Sequence, residues 1–423
     1  MLTPKTILII GAGQTGAVAA RTLRDLGYDG RITIIGNEPH LPYERPPLSK
    51  AALEQSVDPA IGRLYPAEFY SEQDIEVING VSAQSLDTQR REVGLSDGRT
   101  LTYDACLLAT GGRAKQLPML PRSSAVHTLR TLDDAMTLGS ALKPGVRLVV
   151  IGGGFLGLEA GWSAKQRGAH VTVLEGGPAL LGRVLPAQVS HWLSQRAGAM
   201  GLDVRLGVAV TSVLADDAAG GQTAITLDDG TVIDADHVLV SVGLTPNTVL
   251  AQAANLSICA STGGVLVDQH CRTSNEYIWA AGDCASQYQA PGDMPVRVES
   301  WQNANTQAAI AAAAILNAAR PAIPYPWFWT DQLGCNIQIL GAPSPGLEYV
   351  LRGDAAPDDP VPKCLYLGLR DGVPVHGVAI NAGGDLRVLR PLFEQSVRIR
   401  AEVFADTATG LKPFVKSCMA QPA

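Results

Sequence analysis

Two glycine loops hold the clearest chemical potential in this chain. Gly11-Ala12-Gly13-Gln14-Thr15-Gly16 follows the apolar run Thr6-Ile7-Leu8-Ile9-Ile10 and opens an Ala-rich stretch. Gly152-Gly153-Gly154-Phe155-Leu156-Gly157 repeats the pattern after Arg147-Leu148-Val149-Val150-Ile151. In G-x-G-x-x-G spacing the first glycine permits a tight turn, the second lets a pyrophosphate approach the backbone, and the third lets the helix pack on the strand. The helix N-terminus then faces the phosphates. One such loop is as easily a plain turn, since glycine is permissive in any of them. Two copies, each set between a strand and a helix, predict two dinucleotide sites.

The acid at the tip of the next strand distinguishes the two. The second unit runs into His170-Val171-Thr172-Val173-Leu174-Glu175, where a carboxylate bonds both ribose hydroxyls and repels the additional phosphate of NADP, so Glu175 points to NADH. The first unit ends Arg31-Ile32-Thr33-Ile34-Ile35 with Gly36 in that place, followed by Asn37 and Glu38. Glu38 is then either a displaced ribose acid or a solvated surface residue. Gly282-Asp283-Cys284-Ala285 follows the strand-like Tyr277-Ile278-Trp279-Ala280-Ala281, a placement suited to aiming Asp283 and a helix N-terminus at a polyol and phosphate. An isolated Gly-Asp is more often only a turn.

These residues need a scaffold, and the chain is long enough to build one. At 423 residues, 46% apolar and 17% charged, it fills the cores of two or three domains. Each dinucleotide unit is followed by short alternating strands with Asp-Gly turns. Each half then closes on an apolar strand, Ala105 to Ala109 turning at Thr110-Gly111 and His237 to Val242 ending at Gly243. An Ala-rich helix is predicted over 301–319, Pro321 to Pro326 reads as a linker, and alternating strand patterns follow. The expected architecture is α/β, with two Rossmann-like domains, 1–113 joined to 244–322 and 114–243, and a C-terminal α+β domain over 323–423. A net charge of −7 disfavours nonspecific nucleic-acid binding. The absence of a long apolar run or signal-peptide architecture predicts a cytoplasmic protein with no membrane span. Seven scattered cysteines without a C-x-x-C pair predict neither a disulfide framework nor a metal site.

Arg45-Pro46-Pro47-Leu48-Ser49-Lys50, Leu129-Arg130-Thr131-Leu132-Asp133-Asp134-Ala135, Glu299-Ser300-Trp301 and Phe328-Trp329-Thr330-Asp331-Gln332 occur in that order. With the double loop, this set resembles the oxygenase-coupled ferredoxin reductases, glutathione-reductase-like flavoproteins of the pyridine nucleotide-disulfide oxidoreductase superfamily. The resemblance covers nearly the whole chain. It implies FAD at the first loop, NADH at the second, and electron delivery to a small acidic [2Fe-2S] ferredoxin or a rubredoxin that feeds a Rieske-type oxygenase or haem monooxygenase. It implies flavin contacts from Thr15, Asn37, Lys50, Val81, Arg130, Asp283 and Trp301. Gly11, Gly13, Gly16, Glu38, Arg45, Thr110, Gly111, Gly282 and Glu299 would line the same cofactor. Gly152, Gly154, Phe155, Leu156, Gly157, Glu159, Glu175, Arg183 and Gly243 would surround the nicotinamide dinucleotide. Lys50 and Glu159 resemble a charged pair beside the reactive flavin nitrogen, and Trp329 resembles the aromatic near the ring system and the electron exit. The bland readings are a solvated Lys50, a helix-dipole Glu159 and a Trp329 that is only interface core. Asn37 stands where Asp is common, and Thr330 where Ser is usual.

Thiol-using relatives carry cysteine near residues 45–50, and this chain has Leu48-Ser49-Lys50 there. Electrons are therefore expected to leave singly to a protein, with Arg297, Arg352, Arg387, Lys412 and Lys416 as basic candidates for docking. A small-molecule reductase and a redox-sensing flavoprotein are the rival classes, and oligomeric state is left open.

Overall fold

The computed structural model describes residues 3–53, 60–215, 222–288 and 293–420. The chain divides into two compact units. One gathers Met1–Pro47, Asp58–Ala114 and Leu244–Pro324; the other gathers Leu48–Val57, Lys115–Gly243 and Tyr325–Ala423. The segments 114–243 and 323–423, expected as separate domains, thus sit in one unit, together with the short segment that carries Lys50.

In the first unit, β-branched runs form a five-stranded parallel sheet in the order Ile278–Ala280, Ala105–Leu108, Thr6–Ile10, Arg31–Ile35, Ile75–Ile78. Both faces are covered, so the strands are apolar throughout rather than alternating. The Gln14–Asp25 helix packs on one face beside Trp301–Ile315, through alanines that let the two come close. That second helix stops at Ile315, four residues short of the sequence-based expectation; Asn317 adopts a left-handed conformation at φ 54°.

The second unit repeats the design. Its parallel sheet runs Asp203–Leu206, His170–Glu175, Arg147–Ile151, His237–Val240, Val126–His127. The C-terminal region adds an antiparallel sheet, Trp327–Gln332, Cys335–Gly341, Val373–Ile380, Lys363–Arg370, Glu348–Asp354, with the helices Gly383–Glu394 and Leu411–Met419 over one face. Arg196, 2% exposed on the helix Ala187–Ala199, ties this region to that helix. It donates to the carbonyls of Leu333 (3.0 Å), Pro357 (3.1 Å) and Asp359 (2.7 Å). Among the described residues no helix is long and apolar enough to cross a membrane.

His127 and His237, on adjacent strands, meet at 3.1 Å between Nε2 and Nδ1. Burial, with repulsion from His237, brings His127 down to about 4, and burial also lowers His237. His376, fully buried, is likewise brought down to about 4. Unfolded, each imidazole takes a proton near 6.5. Their contribution is therefore fully present above pH 6.5 and is lost as pH falls from there towards 4, with His127 and His376 each costing on the order of a few kcal/mol. Denaturant titrations at pH 7.5 and 5.0 should show a lower midpoint at pH 5.0, and His127→Asn should flatten that difference.

Candidate functional sites at the two glycine loops

The first loop is shaped by its own strands. Gly11 has φ +122°, and a Cβ there would lie 2.1 Å from the Ala109 carbonyl oxygen, so only glycine fits. Gly13 is different. Its backbone is extended at φ −94°, ψ −165°, and a Cβ there would meet nothing within 4 Å. Nothing in the protein requires glycine at that point, which leaves an incoming group as the reason for the open backbone. The following helix has no side-chain cap and no acid in its first turn, so its N–H groups and positive end are available to an anion.

The surrounding side chains differ in how firmly they are held. Gly282 rests on the buried Thr15, with a built Cβ 2.3 Å from the Thr15 hydroxyl, and its N–H donates to the Gln307 side chain at 2.8 Å. Asp283 follows in a three-residue 3-10 turn that runs into the strand Ala285–Gln287. The helical end expected there is only this short turn, since Ala285–Gln287 continues as a buried strand, and the long helix of this region is Trp301–Ile315. Thr110 and Asn247 exchange bonds, Thr110 Oγ1 to the Asn247 carbonyl at 2.6 Å and Asn247 Nδ2 back at 3.0 Å, which fixes Gly111. Trp301 Nε1 donates to Glu44 at 3.0 Å, and Glu299 pairs with Arg297 at 2.6 Å. Asn37 is exposed, while the Val81 N–H is taken by the Gly36 carbonyl at 3.0 Å. Glu38 is not solvated: it accepts from Arg45 at 2.8 Å and from the Tyr43 hydroxyl.

The second loop repeats this geometry. Gly152, at φ +108°, would place a Cβ 2.3 Å from the Ser241 carbonyl oxygen, and Gly157 packs on Gly152. Gly154, at φ −79°, again has nothing within 4 Å, and the helix Phe155–Gln166 begins without a side-chain cap. Gly243, at φ +109°, also faces open space. Glu175 is held ready by backbone donors, from Gly153 N at 2.8 Å and Gly177 N at 2.7 Å, leaving lone pairs free. Arg183 lies exposed in the turn that follows, and Leu156 is half-buried at the helix start. Arg130 precedes a capped helix and donates its N–H to Asp134 at 2.9 Å.

In the same unit, strand Trp327–Gln332 lies against helix Phe155–Gln166. Period-2 alternation sends Phe328, Thr330 and Gln332 to the helix, and the i, i+4 pair Phe155 and Glu159 meets them. Phe328 packs on Phe155 at 4.6 Å, and the Thr330 hydroxyl donates to Glu159 at 2.5 Å. Glu159, 8% exposed, also accepts from Ser49 at 2.5 Å and from Asp331 N at 3.1 Å. Lys50 completes it at 3.2 Å and stands equally 3.2 Å from Asp331. Glu159 is thus no helix-dipole acid, and Lys50, with 25% of its side chain exposed, is no solvated surface lysine. Trp329 points to the other face and stacks on Trp327 at 5.2 Å.

Residues 5–308 match the family model described as pyridine nucleotide-disulphide oxidoreductase, and residues 327–415 match that described as the reductase C-terminal domain. The chain belongs to the pyridine nucleotide-disulphide oxidoreductase family. Among solved structures, it is similar to the reductase of a covalent putidaredoxin reductase–putidaredoxin complex at 31% identity, covering 99% of each chain with a TM-score of 0.90. It is similar to a ferredoxin reductase for the CYP199A2 system from Rhodopseudomonas palustris at 34% identity, 97% of this chain, 99% of the other, and a TM-score of 0.87. The protein Fdr9 matches at 31% identity over 95% and 98%, with a TM-score of 0.81.

Within this family frame, Asp331, Ser49 and Glu44 are residues that sequence reasoning left without roles. Each sits inside or beside a recognisable motif, but only the fold shows what it touches. Thr330 in the usual serine place keeps the hydroxyl that bonds Glu159, so that departure is conservative in its chemistry. Replacing the two unconstrained glycines tests the cofactor loops. Gly13→Ala should fold with an unchanged melting temperature in the flavin-free form yet purify with most of its flavin lost. Gly154→Ala should keep the flavin and raise the KM for NADH at least about tenfold. A drop in apoprotein stability would show instead that the glycines serve the fold.

Proposed function

We propose that this chain takes hydride from NADH, holds FAD as its redox group, and passes electrons one at a time to a small [2Fe-2S] ferredoxin serving a Rieske-type or haem oxygenase. The observation that carries the reading is the pair of uncapped helix ends with open glycines at Gly13 and Gly154, one in each unit. Similarity to a putidaredoxin reductase and to a ferredoxin reductase for the CYP199A2 system supports the acceptor class. Bound flavin supplies what no side chain here can, acceptance of a two-electron hydride and release of single electrons. The chain's own residues bind, orient and hold charge. Glu159 keeps the Lys50 ammonium in one place, and Glu175 receives the ribose of NADH.

Thiol chemistry is a poor alternative for this chain. Burial pushes the thiols of Cys106, Cys271, Cys284, Cys335, Cys364 and Cys418 up, away from the reactive thiolate. Cys259, lowered to about 7 despite burial by bonds from Ser261 and Thr262, is the exception, and it lies in a loop of the first unit. Seven free thiols also accord with a cytoplasmic setting.

The NADH preference follows from Glu175. Gly176 has room for a side chain, its built Cβ meeting only the Val208 carbonyl oxygen at 3.7 Å. Glu175→Ala combined with Gly176→Arg should move the NADPH/NADH ratio of kcat/KM towards NADPH by about tenfold or more, through lost repulsion and an added phosphate partner. An unchanged ratio means Glu175 is not the ribose acid.

Two of the five basic residues expected at the docking face are structural. Arg352 spends its guanidinium on the carbonyls of Phe404, Asp406, Thr407 and Thr409, and Arg297 on those of Thr262 and Asp283 and on Glu299. Both clamp loops rather than face a partner. Arg387, Lys412 and Lys416 are exposed, on two helices that share one core. Arg387 also lines a cavity of about 210 Å³ with Trp327 and Gln338, on the face of the strand that bears Trp329. Ferredoxin-dependent cytochrome c reduction should slow as salt rises, while ferricyanide reduction changes little. Charge reversal at Arg387 or Lys416 should mimic the salt effect. Rapid cytochrome c reduction without ferredoxin would favour the small-molecule reductase.

A further inference from the structure

Hydride brings two electrons and one proton, whereas an iron–sulfur cluster takes electrons alone. NADH and two oxidised ferredoxins therefore give NAD⁺, two reduced ferredoxins and one H⁺, and every turnover leaves a proton to discharge to water.

A cavity of about 410 Å³ lies against the Lys50 cluster, lined by Lys50, Glu159, Asp331, Trp162, Ser163 and Gln166 among others. It runs along the half of helix Phe155–Gln166 remote from the glycine loop, so it is not the dinucleotide cleft of that loop. Of the charged groups around it, Arg167 is committed to the carbonyls of Leu53 and Gly139. Glu159, only 8% exposed, is held at Oε1 by Thr330, the Asp331 N–H and Lys50 and at Oε2 by Ser49. Asp331 is placed differently. It bonds Lys50 through Oδ2 and Asn336 through Oδ1, and 47% of its side chain is exposed.

We propose that Lys50, Asp331 and this cavity form the proton exit, a reading that rests on the function proposed above and on Lys50 standing beside the flavin as the family resemblance implies. Asp331 Oδ2 takes a proton from Lys50 Nζ and yields one to cavity water, and bound flavin would be the source of the proton that restores the Lys50 ammonium. Glu159 positions Lys50 and takes no part in the transfer. Asp331 acts through Lys50.

The test uses the holoprotein reduced with one equivalent of NADH in weakly buffered solution with a pH indicator, then mixed rapidly with ferricyanide. Flavin absorbance follows electron loss and the dye follows proton release. The two signals should coincide in the unchanged protein. In Asp331→Asn proton release should lag flavin oxidation by at least about tenfold, and Asp331→Glu should restore coincidence. Gln166→Trp, which narrows the cavity without touching the cluster, should give a smaller lag and carries the test if Asp331→Asn does not fold. Lys50→Met should lag as well. A lag in Lys50→Met with none in Asp331→Asn or Gln166→Trp overturns the exit and leaves Lys50 in place. Coincident signals in Lys50→Met overturn the reading of Lys50 beside the flavin, and the exit with it.

Discussion

A carboxylate taken out of water must be met by donors on every side, or it takes a proton instead. Glu159 is the case on which much of the second unit depends. Its donors come from the Leu48–Val57 segment through Ser49 and Lys50, and from the C-terminal sheet through Thr330 and the Asp331 backbone. Three stretches of chain far apart in sequence are therefore held to one buried charge. The same arrangement holds the Lys50 ammonium in one place. Removing one donor would cost several kcal/mol because the charge would remain, which makes the cluster all-or-none.

A second constraint operates between the glycine loop and the strand tip. At Gly36 a Cβ would come 2.4 Å from the Ala12 Cβ, and at Gly153 a Cβ would come 3.1 Å from the Glu175 Cβ. The two positions face each other, and only one can carry a side chain. The first loop places it on the loop and the second on the tip. The glycine at position 36 is thus a steric consequence of Ala12, and Glu38, two residues beyond that contact, meets Arg45 and Tyr43.

Strands, loops and both dinucleotide units were legible because each is local: a β-branched run, a glycine spacing, an alanine stretch. The place of Glu175 at the strand tip was legible because the strand and its backbone partners, Gly153 and Gly177, belong to the same local unit. Asp331 was not, since its value lies in a lysine nearly three hundred residues earlier in the chain. Arg297 and Arg352 misled for the same reason: a basic residue reads as surface charge until the carbonyls that occupy it are seen. Only a three-residue 3-10 turn forms at Gly282, because core packing draws Ala285–Gln287 into a strand, a tertiary effect that overrides local preference.

The route of the chain through Leu48–Val57 has a consequence for synthesis. Lys50 leaves the ribosome early, while Thr330 and Asp331, which complete its cluster, emerge only when most of the polypeptide has been made. For that interval Glu159 lacks half its donors. The nascent chain can fold the first sheet's early strands and the second βαβ unit, but the charge cluster closes only after translation is nearly finished. Such long-range closure is slow and exposes partly folded chains meanwhile. A chain cut short before residue 327 would keep both glycine loops and still lack Thr330 and Asp331 as donors to Glu159.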